Sequence, residues 1–170
     1  YRNFEALGVP AHTAEELEFA DGLARTYPGS GRIPGVGSEH DPDYAERARA
    51  LREAAGHAMN DFLLPLYQGD AFSPGSTDVG DVSWECPAAQ IHVAAWPNGA
   101  PGHSWQNVSC GATELGHKAA IHAGKVLAGA AIDLLTTPSL LEEARAEFRR
   151  RTTAGYTCPI PPDAVPTIAD

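Results

Sequence analysis

One histidine dominates the chemistry this sequence offers. His103 lies in the loop PNGAPGHSWQNVSCG (97–111), between Trp96 and Trp105 and just ahead of a long alanine-rich segment. A neutral imidazole is the commonest metal ligand and a frequent general base, and loops at the ends of elements are where such groups are usually presented. Residue type leaves a third role open, that of an exposed loop histidine with no task. A second candidate is GSTDVGD (75–81), in which Gly75, Ser76, Thr77 and Asp78 would make a tight turn whose backbone N–H groups face an anion. It lacks the lysine of a phosphate-binding loop, and its competing reading is a turn in which Asp78 caps local backbone.

The remaining polar residues carry less. His117 and His122 are five positions apart, about 140° around a helix, without the spacing or the glutamate of an HExxH pair. His92 falls in a predicted strand and reads as a core or interface histidine. Ser76 and Ser104 lack the GxSxG context of an activated serine. A mononuclear centre of His103, Asp78 and His117 would need segments to converge that their spacing gives no reason to bring together. Cys86, Cys110 and Cys158 are odd in number and contain no CxxC pair. That pattern disfavours a disulfide framework or a zinc finger and favours a reduced, cytoplasmic setting. The net charge of −10 over 170 residues would repel a phosphate backbone, so no nucleic acid is expected as partner. No apolar run approaches the roughly 20 residues of a membrane span, so no membrane partner is expected, and no signal peptide is visible. The chain opens at Tyr1 and its single methionine is Met59, which is compatible with a truncated chain.

Elements that would position these residues are legible in outline. Thr13 and Glu16 make a capping box ahead of a helix over 14–27, which Pro28-Gly29 stops. GSGRIPGVGS (29–38) reads as a glycine-rich loop. Pro42 starts a second helix with an apolar stripe of Tyr44, Ala48, Leu51 and Ala55. FLLPLY (62–67), interrupted by Pro65, reads as an edge strand, VSWE (82–85) as a strand and AQIHVAAW (89–96) as a strand buried on both faces. The longest helix is predicted over 113–135, a last one begins at Pro138, and the tail 152–170 reads as extended and proline-rich. Helices alternating with short strands predict an α/β domain over 1–170, layered helix/sheet/helix.

Three segments together carry a resemblance: GSTDVGDVSW (75–84), GHSWQNVSCG (102–111) and GHKAAIHAGKVLAGAAIDLL (116–135). With YRNFEALGVP at the start and CPIP at 158–161, they resemble the C-terminal part of the dinuclear metallohydrolases of the aminoacylase/carboxypeptidase-G type. Within that family they look most like the amidohydrolases of the p-aminobenzoyl-glutamate hydrolase kind. The resemblance implies an α/β catalytic domain, here its C-terminal half without the lid or dimerisation domain. It implies two divalent ions, zinc or manganese, that activate water against the amide of an N-acyl amino acid, a dipeptide or a p-aminobenzoyl-glutamate-like substrate, with a glutamate as general base.

Carried over by position, His103 matches the family's last metal ligand. Gly75, Ser76, Thr77 and Asp78 match a motif bordering the active site, and Trp105 and Gln106 follow the ligand and would shape the pocket. The family's other ligands, its catalytic glutamate and its lid have no counterpart in these 170 residues. The complete enzyme is expected to be a homo-oligomer, a dimer, and this chain alone is expected to be inactive. The alternative expectation is a non-catalytic relic or structural subunit that pairs with a partner chain.

Overall fold

Thr13 caps helix α2 (Ala14–Ala24) as its spacing predicts. Its hydroxyl accepts from the Glu16 N–H at 3.3 Å, and the Glu16 carboxylate accepts from the Thr13 N–H at 2.9 Å. Each side chain thus satisfies a backbone donor that the start of a helix would leave open. The computed structural model describes residues 1–29, 42–67 and 77–165. Within them α1 (Arg2–Leu7) precedes α2, and α3 (Pro42–Ala55) starts on proline and ends before Gly56, whose φ is 71°. Then come α4 (Val79–Glu85), α5 (Trp105–Gly111), α6 (Glu114–Thr136) and α7 (Pro138–Arg151).

The chain forms two units. The first comprises Tyr1–Ser73 with Ile91–Ile132, the second Pro74–Gln90 with Asp133–Asp170. The core of the first is built from Ala20 and Leu23 of α2, Met59, Cys110 of α5 and Leu115 of α6. Ala24, Tyr27 and Ala58 form a smaller cluster. In the second unit Trp84 of α4 stacks on Tyr156, ring centroids 5.7 Å apart and 20° from parallel, and the Tyr156 hydroxyl donates to the Asp81 carboxylate.

No strand or sheet occurs among the described residues, so the expected α/β layered fold is incorrect for this chain. VSWE belongs instead to α4, where the N–H of Val82 bonds the carbonyl of Asp78 and that of Cys86 the carbonyl of Val82. Four alternating residues are too few to distinguish a period of two from one of 3.6. FLLPLY and AQIHVAAW carry no regular structure. A strand exists only by laddering with a neighbour, and neither stretch ladders with another among the described residues. The loop 97–111 also hides a helix, α5, whose start is marked by Ser104. The glycine-rich stretch 30–38 lies outside the described residues.

Helix α6 corrects a second expectation. Its 23 residues include a window of mean hydropathy 1.3, long and apolar enough by length and composition to cross a membrane, although glycines and lysines break every apolar run. One face is interior: Leu115, Ala119, His122 and Val126 are buried. Its other face leaves Ile121, Leu127, Ile132 and Leu135 exposed.

A polar clamp ties α6 to the start of α2. Lys118 Nζ donates to both carboxylate oxygens of Glu16, at 2.8 and 2.9 Å, and to the Ala11 carbonyl at 3.0 Å. Lys118, followed by the Thr13 N–H, holds the Glu16 carboxyl below its ordinary value of 4.5. A depressed carboxyl stabilises the fold above its unfolded pKa, and that contribution is lost as pH falls through the folded value. Lys118→Met is therefore expected to cost about 1 kcal/mol at neutral pH, after allowing for the pair's partial exposure. Urea unfolding of both proteins at neutral pH and well below pH 4.5 tests this, because the difference should shrink in acid. An unchanged difference would place the effect in packing.

Candidate functional site

The loop that presents His103 is anchored at its base. Pro97 is fully buried, and the Tyr27 hydroxyl donates to the carbonyls of Asn98 at 2.9 Å and Pro97 at 3.3 Å. The Asn98 N–H bonds the Ala58 carbonyl at 2.7 Å, while the Ala58 N–H bonds an Asp21 carboxylate oxygen at 2.6 Å. Burial, followed by the nearby Cys110 thiol, pushes the Tyr27 phenol above its ordinary value, so it stays a neutral donor. The far side of the loop is fixed by α5. Ser104 Oγ donates to the Pro101 carbonyl at 2.6 Å and accepts from the Asn107 N–H at 3.4 Å.

Between these anchors His103 is exposed and takes φ = 55°, the one left-handed non-glycine among the described residues. A β-carbon in that region costs on the order of 1–2 kcal/mol. Glycine would relieve it, so the imidazole is held where a more comfortable residue exists, and such outliers cluster at functional positions. Trp105 opens α5 and leaves 60% of its surface in solvent. Gln106 points the other way: it is buried, and its Nε2 donates to Thr26 Oγ1 at 3.2 Å. Gln106 therefore ties α5 to the end of α2, a structural duty.

Thr77 and Asp78 belong to the second unit, at the start of α4. Thr77 Oγ1 accepts from the Val79 N–H at 2.9 Å, whereas Asp78 makes no side-chain cap. Local capping thus falls to Thr77 and not to Asp78. Gly75 and Ser76 lie outside the described residues. His117 faces solvent on α6, 3.4 Å from Glu114 of its own helix.

Among the described residues no three His, Cys, Asp or Glu side chains are grouped to hold a metal ion. Two divalent ions need ligands from several segments. The described residues do not fit such a pair by themselves, and the mononuclear arrangement of His103, Asp78 and His117 is not formed. Cys110 is buried and desolvation pushes its thiol up, which disfavours the thiolate that a ligand or nucleophile needs.

Sequence reading gave no role to a cavity of about 560 Å³ in the first unit, lined by Phe4, Tyr44, Asn60, Trp96, Asn98 and His122 among others. His122 has helical spacing and burial on its side, but nothing in the sequence marks the two asparagines.

A helical chain with one strained, exposed histidine does not define a reaction by geometry alone, and similarity to a known protein adds to it. The chain is similar along nearly its whole length to part of a named hydrolase. It is 34% identical over 177 residues to a subunit of the p-aminobenzoyl-glutamate hydrolase of Escherichia coli (strain K12). That similarity covers 98% of this chain and 35% of the relative, so the chain spans about a third of the relative's length. No family profile matches the chain, and no solved structure does.

Proposed function

We propose that this chain is the C-terminal part of a metal-dependent amidohydrolase acting on an N-acyl amino acid, a dipeptide or a p-aminobenzoyl-glutamate-like amide, and that it is inactive alone. The similarity to a named hydrolase along 98% of the chain carries this reading. His103 supplies one ligand of a two-ion centre, zinc or manganese, whose other ligands and general base lie outside these residues. The support for that role is its exposed side chain, held at φ = 55° between an anchored base and a capped helix. Thr77 and Asp78 keep the site-supporting role that their motif implies. The relative is a subunit by name, which favours assembly with another polypeptide.

The test is a chimera in which this chain replaces the matching third of the Escherichia coli relative, assayed for metal content and for hydrolysis of p-aminobenzoyl-glutamate. His103→Ala in that chimera should cost more than the roughly 10–100-fold typical of residues behind the ligands. Circular dichroism checks that the variant folds. Full metal content and full activity in His103→Ala would end the ligand assignment.

A second reading is a non-catalytic subunit that keeps the scaffold and pairs with a partner. The exposed Ile121, Leu127, Ile132 and Leu135 of α6 favour it, since contiguous apolar surface marks an interaction face. Tight metal loading of the isolated chain that disappears in His103→Ala would count against it.

A further inference from the structure

We propose that the first unit contains a binding site, distinct from His103 although it shares the base of the same loop, for an uncharged planar ring bearing a carboxamide. The site is the cavity of about 560 Å³, a size typical of small-molecule pockets. Its lining includes none of His103, Trp105 or Gln106. Its apolar walls favour a ring. Tyr44 and Tyr67 meet edge to face with centroids 5.4 Å apart, Phe4 lies 6.0 Å from the His122 ring, and Trp96 is partly open to solvent. Aromatic faces and edges arranged in this way hold a flat apolar body.

The polar atoms narrow the class. Asn60 Nδ2 donates to Asn98 Oδ1 at 3.0 Å, which fixes the amide and leaves Asn60 Oδ1 buried without a hydrogen-bond partner. His122 is only 8% exposed, and its Nε2 also lacks a partner. A third such atom on the cavity, His12 Nδ1, faces the Glu16 carboxylate at 3.4 Å; buried polar atoms are nearly always satisfied, so the two that face no charged partner point to groups that arrive with a ligand. An amide N–H answers the Asn60 oxygen, and the amide carbonyl accepts from His122 in the tautomer that carries its proton on Nε2.

Charge excludes the competing classes. Among the described residues no lysine or arginine lines the cavity. The one carboxylate among them there, Asp61, already lies 3.2 Å from His57 Nε2. A carboxylate or phosphate would be desolvated there with no lysine or arginine to pair with it. The acidic end of an N-acyl amino acid is therefore refused here, which separates this occupant from the substrate proposed above.

The experiment is calorimetric titration of the chain with benzamide and, in parallel, with benzoate of the same shape, in the presence of a chelator so that no metal site contributes. One saturable benzamide site is expected, with benzoate at least about 10-fold weaker. Asn60→Leu should weaken benzamide by about 10-fold or more, while His103→Ala leaves it unchanged. If Asn60→Leu does not fold, Trp96→Ala at the rim replaces it, with weakened benzamide again expected. Benzoate binding as tightly as benzamide, no saturation, or indifference to these cavity variants would overturn the proposal. Loss of benzamide in His103→Ala would overturn its separateness, and none of these outcomes bears on the metal-content test of the hydrolase reading.

Discussion

Leu115→Ala is expected to remove about 2–5 kcal/mol of stability from the first unit. Leu115 is 1% exposed and packs against Ala20, Leu23, Met59 and Cys110, with Leu17 and Ala94 closing the periphery. Those neighbours come from α2, α5 and the connecting segments, so the leucine is the point where α6 is held to the rest of the unit. Truncation loses the transfer energy of three carbons and leaves a cavity that surrounding helices can only partly close. Domains of this kind are stable by about 5–15 kcal/mol, so the change is a large share of the total. Urea unfolding followed by helix content and by tryptophan emission gives the number. Leu115→Met, which conserves volume, should cost less than about 1.5 kcal/mol. A loss below that figure for Leu115→Ala would mean that α6 is held mainly by the Lys118–Glu16 clamp and not by packing.

The helices were legible because their signals are local. Thr13 and Glu16 stand three apart, Pro42 and Pro138 sit in first turns, and Gly56 follows the last turn of α3 with positive φ. Each is decided by a handful of neighbouring residues. The strands failed because a strand is decided elsewhere in the chain. Ile91, Val93 and Trp96 have the composition of a buried strand, yet composition supplies no partner to bond. Helix α5 was missed because glycine and proline at 97–102 drew the whole stretch into a loop, while the signal that mattered was Ser104 with Asn107 three residues on.

The candidate site divides along the same line. His103 stood out from residue type and from the order of three motifs, and the structure adds what no spacing contains: its positive φ and the clamp from Tyr27, seventy residues upstream of Pro97. Gln106 closely follows His103 in sequence but turns inward, because the second residue of a helix whose first faces solvent lies about 100° around the axis. Adjacency in sequence gave it a place in the pocket that helical geometry takes away. The orphaned atoms of Asn60 and His122 were invisible for a different reason: hydrogen-bond satisfaction is a property of the packed chain, not of any stretch of it.

Gly116→Ala and Gly124→Ala, two identical substitutions on α6, are expected to have opposite signs. A β-carbon at Gly116 would lie 2.8 Å from the Cys110 carbonyl oxygen and 2.9 Å from that of Gly111. Both are backbone atoms, and the first is already fixed by the N–H and the hydroxyl of Thr113, at 3.0 and 2.7 Å. The elbow between α5 and α6 must open to admit a methyl, dragging the buried Cys110 with it. Overpacking of this kind costs about 1–3 kcal/mol, more than the roughly 1 kcal/mol that alanine gains over glycine inside a helix. At Gly124 nothing lies within 4 Å of the added carbon, so only the propensity gain remains. The two variants should therefore straddle the parent protein, about 3 kcal/mol apart at the upper end of these figures. The midpoint of urea unfolding orders all three. If Gly116→Ala were as stable as Gly124→Ala, the elbow would be loose, and α5 would owe its position to Ser104, Gln106 and the packing of Cys110.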